Sequence, residues 1–436
     1  MEGTQAGPPE RLRDERTTGA GSQPPLADFD HHSADFHEHR HERWRELRAC
    51  PVSYNPRYGG FWVVSGHDEV AQVARDGDTF TSRYEASSAD GIDYLGITGI
   101  PRIKGIPPAG IAEVEGPAHQ ALRRVINPYM LPLAVERLRP FIEAVTTWFV
   151  DRHIEAGRMD LVLDVTNPVP AVLTMKTLGL GCDQWEHYAK LFHATVALRP
   201  GDPDYDDAMS NVPAMIGDLL AEAQSRRDEP RADLLTDLVH LEVGGRRLDD
   251  REVTAVLWNL VGGGLDTTTS LTSLALHHLD GHPDLRRKLI ERPELLPTAT
   301  EEFLRFFSVN ETLTRTVTKD VELGGQQLQR GDHVMVSWLS ANHDERTFPD
   351  PGTVVLDRAP NRHLAFGVGP HRCIGMHLAR TMFQVMVSEV LTRMPDYRVD
   401  RDATCFYRGN PTLNGVVRMP VTFTAGPVVG PAERPF

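Results

Sequence analysis

The sequence predicts a mostly α fold with a minor β region. Long stretches place apolar residues at the three-to-four spacing of a buried helix face, while only short runs bounded by glycine read as strands. Residues 1–25 set Pro8, Pro9, Gly19, Gly21, Pro24 and Pro25 among polar neighbours, the composition of a disordered leader. His31, His32, His37, His39 and His41 follow in an Arg/Glu alternation ahead of Trp44 and Leu47. That pattern is an amphipathic helix with most of these histidines in solvent, not a metal cluster. A short strand is expected over 61–64, between Gly59-Gly60 and Gly66, and others over 334–338 and 416–423. Helical spacing runs through 133–156, 208–226, 250–279, 283–291, 295–307 and 374–394, and no internal repeat is visible.

Composition excludes several function classes. With 436 residues and 40% hydrophobic content the chain can bury a large core. A formal net charge of −15 argues against nucleic acid or anionic lipid as partners, since both require a basic surface. Cys50, Cys182, Cys373 and Cys405 are scattered and form no Cys-x-x-Cys pair, which argues against a zinc site, a covalently attached heme or a disulfide framework. A reducing cytoplasm fits that usage. No apolar run is long enough to span a bilayer, and the N-terminus has no signal-peptide character.

The most informative segment is Phe366-Gly-Val-Gly-Pro-His-Arg-Cys373-Ile-Gly375. It reads as a loop presenting a thiolate to a heme iron. An ionised sulfur in a dry site needs compensation, and backbone amides are the nearest source. Glycines at 367, 369 and 375 are expected to take positive φ and aim N–H groups at the sulfur. The apolar run after Ile374, with Met376, Ala379, Phe383 and Val387 on one face, places Cys373 at a helix N-terminus, whose positive end should lower the thiol pKa.

The Phe-Gly-x-Gly-x-x-x-Cys-x-Gly pattern resembles the proximal heme loop of the cytochrome P-450 superfamily, in its soluble bacterial form. Matching motifs extend from near Pro51 to about Pro420, so the resemblance covers nearly the whole chain. It implies a cytochrome P-450 fold, one catalytic domain over 26–436, cytoplasmic localisation and heme b ligated axially by Cys373.

On the opposite side of the expected heme, the run from Leu260 to Thr269 puts three glycines inside an apolar helix, each costing up to about 1 kcal/mol relative to alanine. The resemblance gives the reason: Gly263, Gly264, Asp266 and Thr267 match the stretch that crosses the oxygen-binding face, with small residues leaving room for dioxygen. Thr267 lies one turn beyond Gly263, so its hydroxyl can reach that carbonyl. Asp266 and Thr267 match the family's acid-alcohol pair, which implies that Asp266 relays protons from solvent and Thr267 hands them on.

The resemblance assigns further residues. Glu302 and Arg305 match its Glu-x-x-Arg signature, with Arg358 as third member of a structural triad bracing the heme loop. His119, Arg123, Arg315 and His371 match the donors that hold the heme propionates. Family position places Val196, Leu198, Leu260, Val309, Leu313, Thr412 and Leu413 around the substrate, and the Ile/Gly/Pro-rich stretch 84–110 can cap an apolar pocket. These residues fit a hydrophobic substrate such as a terpenoid, steroid, fatty acyl or polyketide skeleton. Asn310 and Glu311 break the apolar tone, as a polar handle or as solvent-facing groups.

The implied activity is a monooxygenase that hydroxylates or epoxidises a hydrophobic small molecule, using O2 and electrons from NAD(P)H delivered by an external ferredoxin and ferredoxin reductase. Arg372 and Arg362 are candidates for docking the acidic donor. A peroxygenase, a heme-thiolate isomerase or dehydratase, and a heme sensor without turnover are the other readings. Retention of the acid-alcohol pair weighs against the first two.

Overall fold

A computed structural model of the chain describes residues 24–85, 88–102, 108–198, 201–407 and 412–436. Most of the expected leader lies outside the described residues, as do 86–87 and 103–107 of the expected capping stretch.

The fold is organised around one helix, Asp250–Gly281. Its start is specified locally. Asp249 accepts from Glu252 N at 2.9 Å, while the Glu252 carboxylate accepts from Asp249 N at 2.8 Å, a reciprocal capping box that satisfies otherwise orphaned amides. Helices Pro168–Leu178, Trp185–Ala197, Pro203–Asp228 and Met376–Arg393 pack against it, so it is apolar on most faces. The helices expected over 133–156, 283–291, 295–307 and 374–394 appear as Pro132–Ile154, Pro283–Glu291, Leu296–Phe307 and Met376–Arg393.

Three helices near the site were not legible by spacing. Pro168–Leu178 is buried on nearly all faces, and a helix without a polar face shows no period. Gly116–Met130 opens on Gly-Pro and carries Pro128 within it, both local signals for a turn. Trp185–Ala197 mixes a buried face with His187, Lys190 and His193, which blurs its apolar stripe.

The minor β region centres on a five-stranded sheet in the order Val52–Asn55, Phe61–Val64, His333–Ser337, Thr312–Val317, Phe80–Thr81. The expected strand Phe61–Val64 is buried along its length, pairing antiparallel with Val52–Asn55 and parallel with His333–Ser337. The stretch 416–423 is two strands, not one. Val416–Arg418 pairs with Cys405–Phe406, and Pro420–Thr422 pairs with Arg158–Asp160 and Arg398–Val399. Between them Met419 N donates to Asp160 Oδ1 at 3.0 Å, which hands the chain from one ladder to the other.

The histidine-rich segment departs from expectation at one position. Helix Arg40–Leu47 buries Trp44 as the pattern implied, but His31 is buried, its Nε2 bonded to Ile100 O at 2.7 Å and its ring edge-on to Phe61. Burial pushes its pKa down to about 4, so it packs as a neutral ring. Among the described residues no group of histidines and acids could hold a metal ion, and no helix is long and apolar enough to cross a membrane.

Candidate active site

The Cys373 loop closes on itself. Cys373 N donates to Phe366 O at 2.8 Å, Gly367 N to Leu364 O at 2.8 Å, and Arg372 N to Gly369 O at 3.1 Å. Gly367 and Gly369 take φ of +65° and +82°, as a tight loop requires. At Gly369 a Cβ would also lie 2.8 Å from Arg75 Cα, so the loop is seated against the end of helix His67–Arg75. Gly375 differs from expectation: its φ is −85°, and its contribution is space, because a Cβ there would meet nothing within 4 Å.

Cys373 stands just before helix Met376–Arg393 and faces an internal cavity. Its thiol pKa is raised, contrary to the sequence expectation. Burial is the dominant cause and outweighs the opposing pull of the Gly375 amide and the charges of Arg123, Arg380 and Arg372. The side chain is open to the cavity, where a metal cation would deprotonate a coordinating thiol outright.

Across the cavity runs the central helix. Thr267 Oγ1 donates to Gly263 O at 2.9 Å, as the one-turn spacing required. The three glycines serve different ends. A Cβ on Gly262 would lie 2.8 Å from the Phe192 ring, and one on Gly264 would lie 2.6 Å from Thr174 Oγ1, so both are glycine for helix packing. Only Gly263 opens onto free space, with nothing within 4 Å of its Cβ position.

Asp266 is not on the cavity wall, although Thr267 and Thr268 beside it are. It is buried on the far side of the helix, bonded to His193 Nδ1 at 2.8 Å and to the Tyr407 hydroxyl. A direct path from solvent to Asp266 is therefore replaced by these two side chains. Neither was recognisable in the sequence, because residues 193, 266 and 407 share no local motif.

One wall of the cavity is rich in donors. Arg315, on strand Thr312–Val317, is buried and donates to Thr314 O at 2.7 Å. Burial drives its guanidinium down to about 10 against the opposing charge of Glu115, and among the described residues no carboxylate pairs with it. His119 Nε2 is buried without a partner, and its ring stands 4.3 Å from that of His371. Arg123 Nη1 donates to Arg372 O at 2.9 Å, and His371 Nε2 faces Glu115 Oε2 and Ser82 Oγ, each at 3.0 Å. A buried, unpaired cation beside an orphaned imidazole nitrogen calls for an anion. Heme fits this cavity: sulfur at one face, open space at Gly263 and Gly375, and this donor wall for its carboxylates.

The Glu302, Arg305 and Arg358 side chains meet as the motif implied. Glu302 accepts from Arg305 Nε and Nη2 at 2.8 Å each and from Arg358 Nε at 2.9 Å. Glu302 and Arg305 are fully buried, and Arg305 also donates to the carbonyls of Asn342 and Pro351 at 2.9 Å.

Of the expected substrate-facing residues, Leu260, Val309, Leu313 and Leu413 line the cavity, and Val196, Leu198 and Thr412 do not. Helix Trp185–Ala197 is held off by its own packing. Phe192 presses on Gly262 and packs tilted at 4.7 Å from Trp258, and the residues further along do not reach the cavity wall. Thr412 lies against Gly99, with its carbonyl accepting from Glu311 N at 2.8 Å. Ile97, from the expected capping stretch 84–110, lines the cavity; spacing missed Ile111 and Thr177, which also line it, and Asn259, whose carboxamide is set in a helix otherwise apolar there. Asn310 also lines it, whereas Glu311 is buried elsewhere and paired with Arg40 Nε at 3.1 Å. Glu311 is thus neither a handle in the cavity nor a solvent group.

Comparison with known proteins agrees with this geometry. The family profile for Cytochrome P450 matches residues 185–395. Nocardicin C N-oxygenase of Nocardia uniformis subsp. tsuyamanensis is 32% identical over 395 residues, covering 88% of this chain and 95% of that protein. Steroid C26-monooxygenase of Mycobacterium tuberculosis (strain ATCC 25618 / H37Rv) is 30% identical, covering 92% and 99%. Among solved structures, Mycobacterium marinum cytochrome P450 CYP268A2 in complex with pseudoionone superposes with a TM-score of 0.80 at 28% identity, covering 90% of this chain and 95% of that one.

Proposed function

The chain belongs to the cytochrome P450 family and is a monooxygenase, and from that premise we propose that Cys373 ligates heme b in the cavity described above. The observation that carries the reading is one cavity with a loop-held sulfur on one face and the Gly263–Thr267 turn on the other. When bound, heme supplies the reductive activation of O2 that lets one oxygen atom enter a C–H or C=C bond.

The protein's own residues do the rest. Arg315, Arg123, His119 and His371 hold the propionates, relieving the uncompensated charge of Arg315 and the orphaned nitrogen of His119. Phe366 and Gly375 shape the proximal face beside the sulfur. The Gly263 carbonyl orients the Thr267 hydroxyl, and Thr267 Oγ1 passes protons into the cavity with Asp266 as the acid behind it. Glu302, Arg305 and Arg358 brace the segment leading to the loop.

The substrate is a hydrophobic small molecule. Leu260, Val309, Leu313 and Leu413 supply apolar wall, and relatives are named for linalool and for a steroid. Asn259 and Asn310 add two carboxamides for a polar substituent. Electrons come from NAD(P)H through a ferredoxin and its reductase. The exposed Arg372 and Arg362, with Arg75 against Gly369, make a cationic patch on the Cys373 side of a protein of net charge −15. Residues 26–436 act as one catalytic domain, because sheet, central helix and Cys373 loop all contribute to one cavity. Four free cysteines fit work in a reducing cytoplasm.

Two measurements test the reading. The ferrous carbonyl spectrum should carry the thiolate signature and lose it in Cys373→His. Reconstitution with ferredoxin, reductase and NAD(P)H should give products with one added oxygen from a library of terpenoid, steroid and acyl compounds. A pigment ligated by imidazole, or turnover that consumes no NAD(P)H, would refute it.

A further inference from the structure

We propose that His193 is the proton-loading partner of Asp266, the two side chains storing a proton that passes toward Thr267, with Tyr407 positioning the carboxylate. The inference rests on the proposed role of Asp266 and Thr267 in oxygen activation and adds the source of the proton.

The hydrogen-bond geometry requires a stored proton. His193 Nε2 lies 3.0 Å from Val417 O, and a carbonyl can only accept, so Nε2 carries a hydrogen. His193 Nδ1 lies 2.8 Å from Asp266 Oδ1. With Nε2 protonated, a neutral ring would turn a lone pair toward the carboxylate, and two facing lone pairs repel. A hydrogen therefore sits between them, on nitrogen as imidazolium or on oxygen as carboxylic acid. In both forms the pair holds one proton more than a neutral imidazole with a carboxylate.

The second carboxylate oxygen is occupied as well. The Tyr407 hydroxyl donates to Asp266 Oδ2, and Ser270 Oγ donates to the phenol oxygen at 3.2 Å. Gly415 makes this approach possible, since a Cβ there would lie 2.7 Å from Tyr407 Cε2. Both oxygens of Asp266 are thus engaged on the face of the helix away from the cavity, one residue before Thr267.

Burial makes a purely structural role a weak explanation. Asp266 is 3% exposed and His193 9%, and a buried ion pair is on balance poor stabilisation because desolvation offsets its attraction. The groups acting on His193 come from every neighbouring element. Asp266 lies on the central helix, Tyr407 follows strand Cys405–Phe406, the Val417 carbonyl is on Val416–Arg418, and the more distant Asp160 is on Arg158–Asp160. Burial alone would lower the His193 pKa, but the Asp266 charge and hydrogen bond, the Val417 carbonyl and Asp160 together raise it.

The proton balance follows. Monooxygenation converts RH, O2, two electrons and two protons to ROH and water, with both electrons supplied by the reductant. The pair delivers one proton in each of two passes: where that proton sits on nitrogen, one N–H bond of the imidazolium breaks and an O–H bond forms on Asp266. Side-chain rotation carries that proton toward Thr267 Oγ1 and into the product water. His193 is left neutral, and the pair is reloaded with one proton from solvent after each pass, so that two passes supply the two protons of one turnover.

The test combines an enzyme-free readout with a kinetic one. Nitrogen-15 histidine NMR of the diamagnetic ferrous carbonyl protein should find both His193 nitrogens protonated at pH 7, or Nδ1 accepting from a protonated Asp266 visible by infrared. A neutral ring beside an ionised carboxylate overturns the inference. His193→Gln should keep the carbonyl spectrum and the rate of reduction by ferredoxin. It should lower product per NAD(P)H severalfold, enlarge the solvent deuterium isotope effect, and abolish the decline in coupling that the wild type shows as pH rises through the His193 pKa. Tyr407→Phe, which leaves the pair but frees Oδ2, should show a smaller loss in the same direction. Wild-type coupling, isotope effect and pH profile in His193→Gln would refute the inference while leaving the monooxygenase reading intact. A wild type without the thiolate signature would instead refute the latter, and the NMR result would still decide whether the pair stores a proton.

Discussion

Replacing Glu302 by Gln tests whether charge balance beneath the Cys373 loop holds that loop in place. The side chain accepts from five donors: Arg305 Nε and Nη2, Arg358 Nε, Asn361 Nδ2 and Val355 N. Gln keeps the volume but removes the charge, and its NH2 group turns two hydrogens toward guanidinium donors. Arg305, fully buried, keeps only neutral carbonyls such as Asn342 O and Pro351 O. Breaking a buried pair by removing one partner costs about 3–5 kcal/mol. Against a total stability of about 5–15 kcal/mol, that is a large share. Urea titration followed by far-UV circular dichroism should show a clear fall in midpoint, and heme content per chain should fall with it because Arg358 and Val355 lie just upstream of the loop. A loss below about 1 kcal/mol with full heme content would mean that the carbonyl bonds to Arg305, not the carboxylate, hold this region.

Other outcomes follow from the same geometry. Thr267→Ala removes the hydroxyl held by Gly263 O and should let NAD(P)H consumption continue while product falls; unchanged coupling removes Thr267 from proton delivery. Arg372→Glu reverses a charge on the Cys373 side and should slow reduction by ferredoxin about tenfold or more at low salt. Peroxide-driven turnover should be retained, and equal loss in both assays would show damage to the heme site instead of docking. His343 is buried with Nδ1 on Leu339 O, and burial pushes its pKa down to about 3. It stays neutral in the fold while the unfolded chain takes up a proton, so its contribution is present above about 6.5 and is lost as pH falls toward 3. His343→Gln should flatten the acid limb of the stability profile by up to about 1.4 kcal/mol per pH unit over that window; an unaltered slope would place the acid sensitivity elsewhere.

What could be read from the chain depended on whether the determinant was local. Asp250–Gly281 and Leu296–Phe307 announce themselves through apolar spacing, whereas Pro168–Leu178, buried all round, has no period to detect. Thr267 and Gly263 were tied by one helical turn, and the cysteine loop by its glycines. Val196, Leu198 and Thr412 were misplaced because family position carries no information on how Phe192 packs over Gly262 or how Thr412 is held against Gly99 and Glu311.

By itself the sequence determined the glycine-rich cysteine loop, the Thr267 turn and the mostly helical architecture, because each is encoded within a few residues by backbone conformation or helical period. Only the tertiary structure decided that Asp266 faces away from the cavity into a buried pair with His193 under Tyr407, that Glu311 is paired with Arg40, and that desolvation raises the Cys373 thiol. The physical reason is common to all three. Desolvation and hydrogen-bond partnership are set by residues far apart in the chain, 73 positions for His193 and Asp266, and no local pattern records which of them the fold brings together.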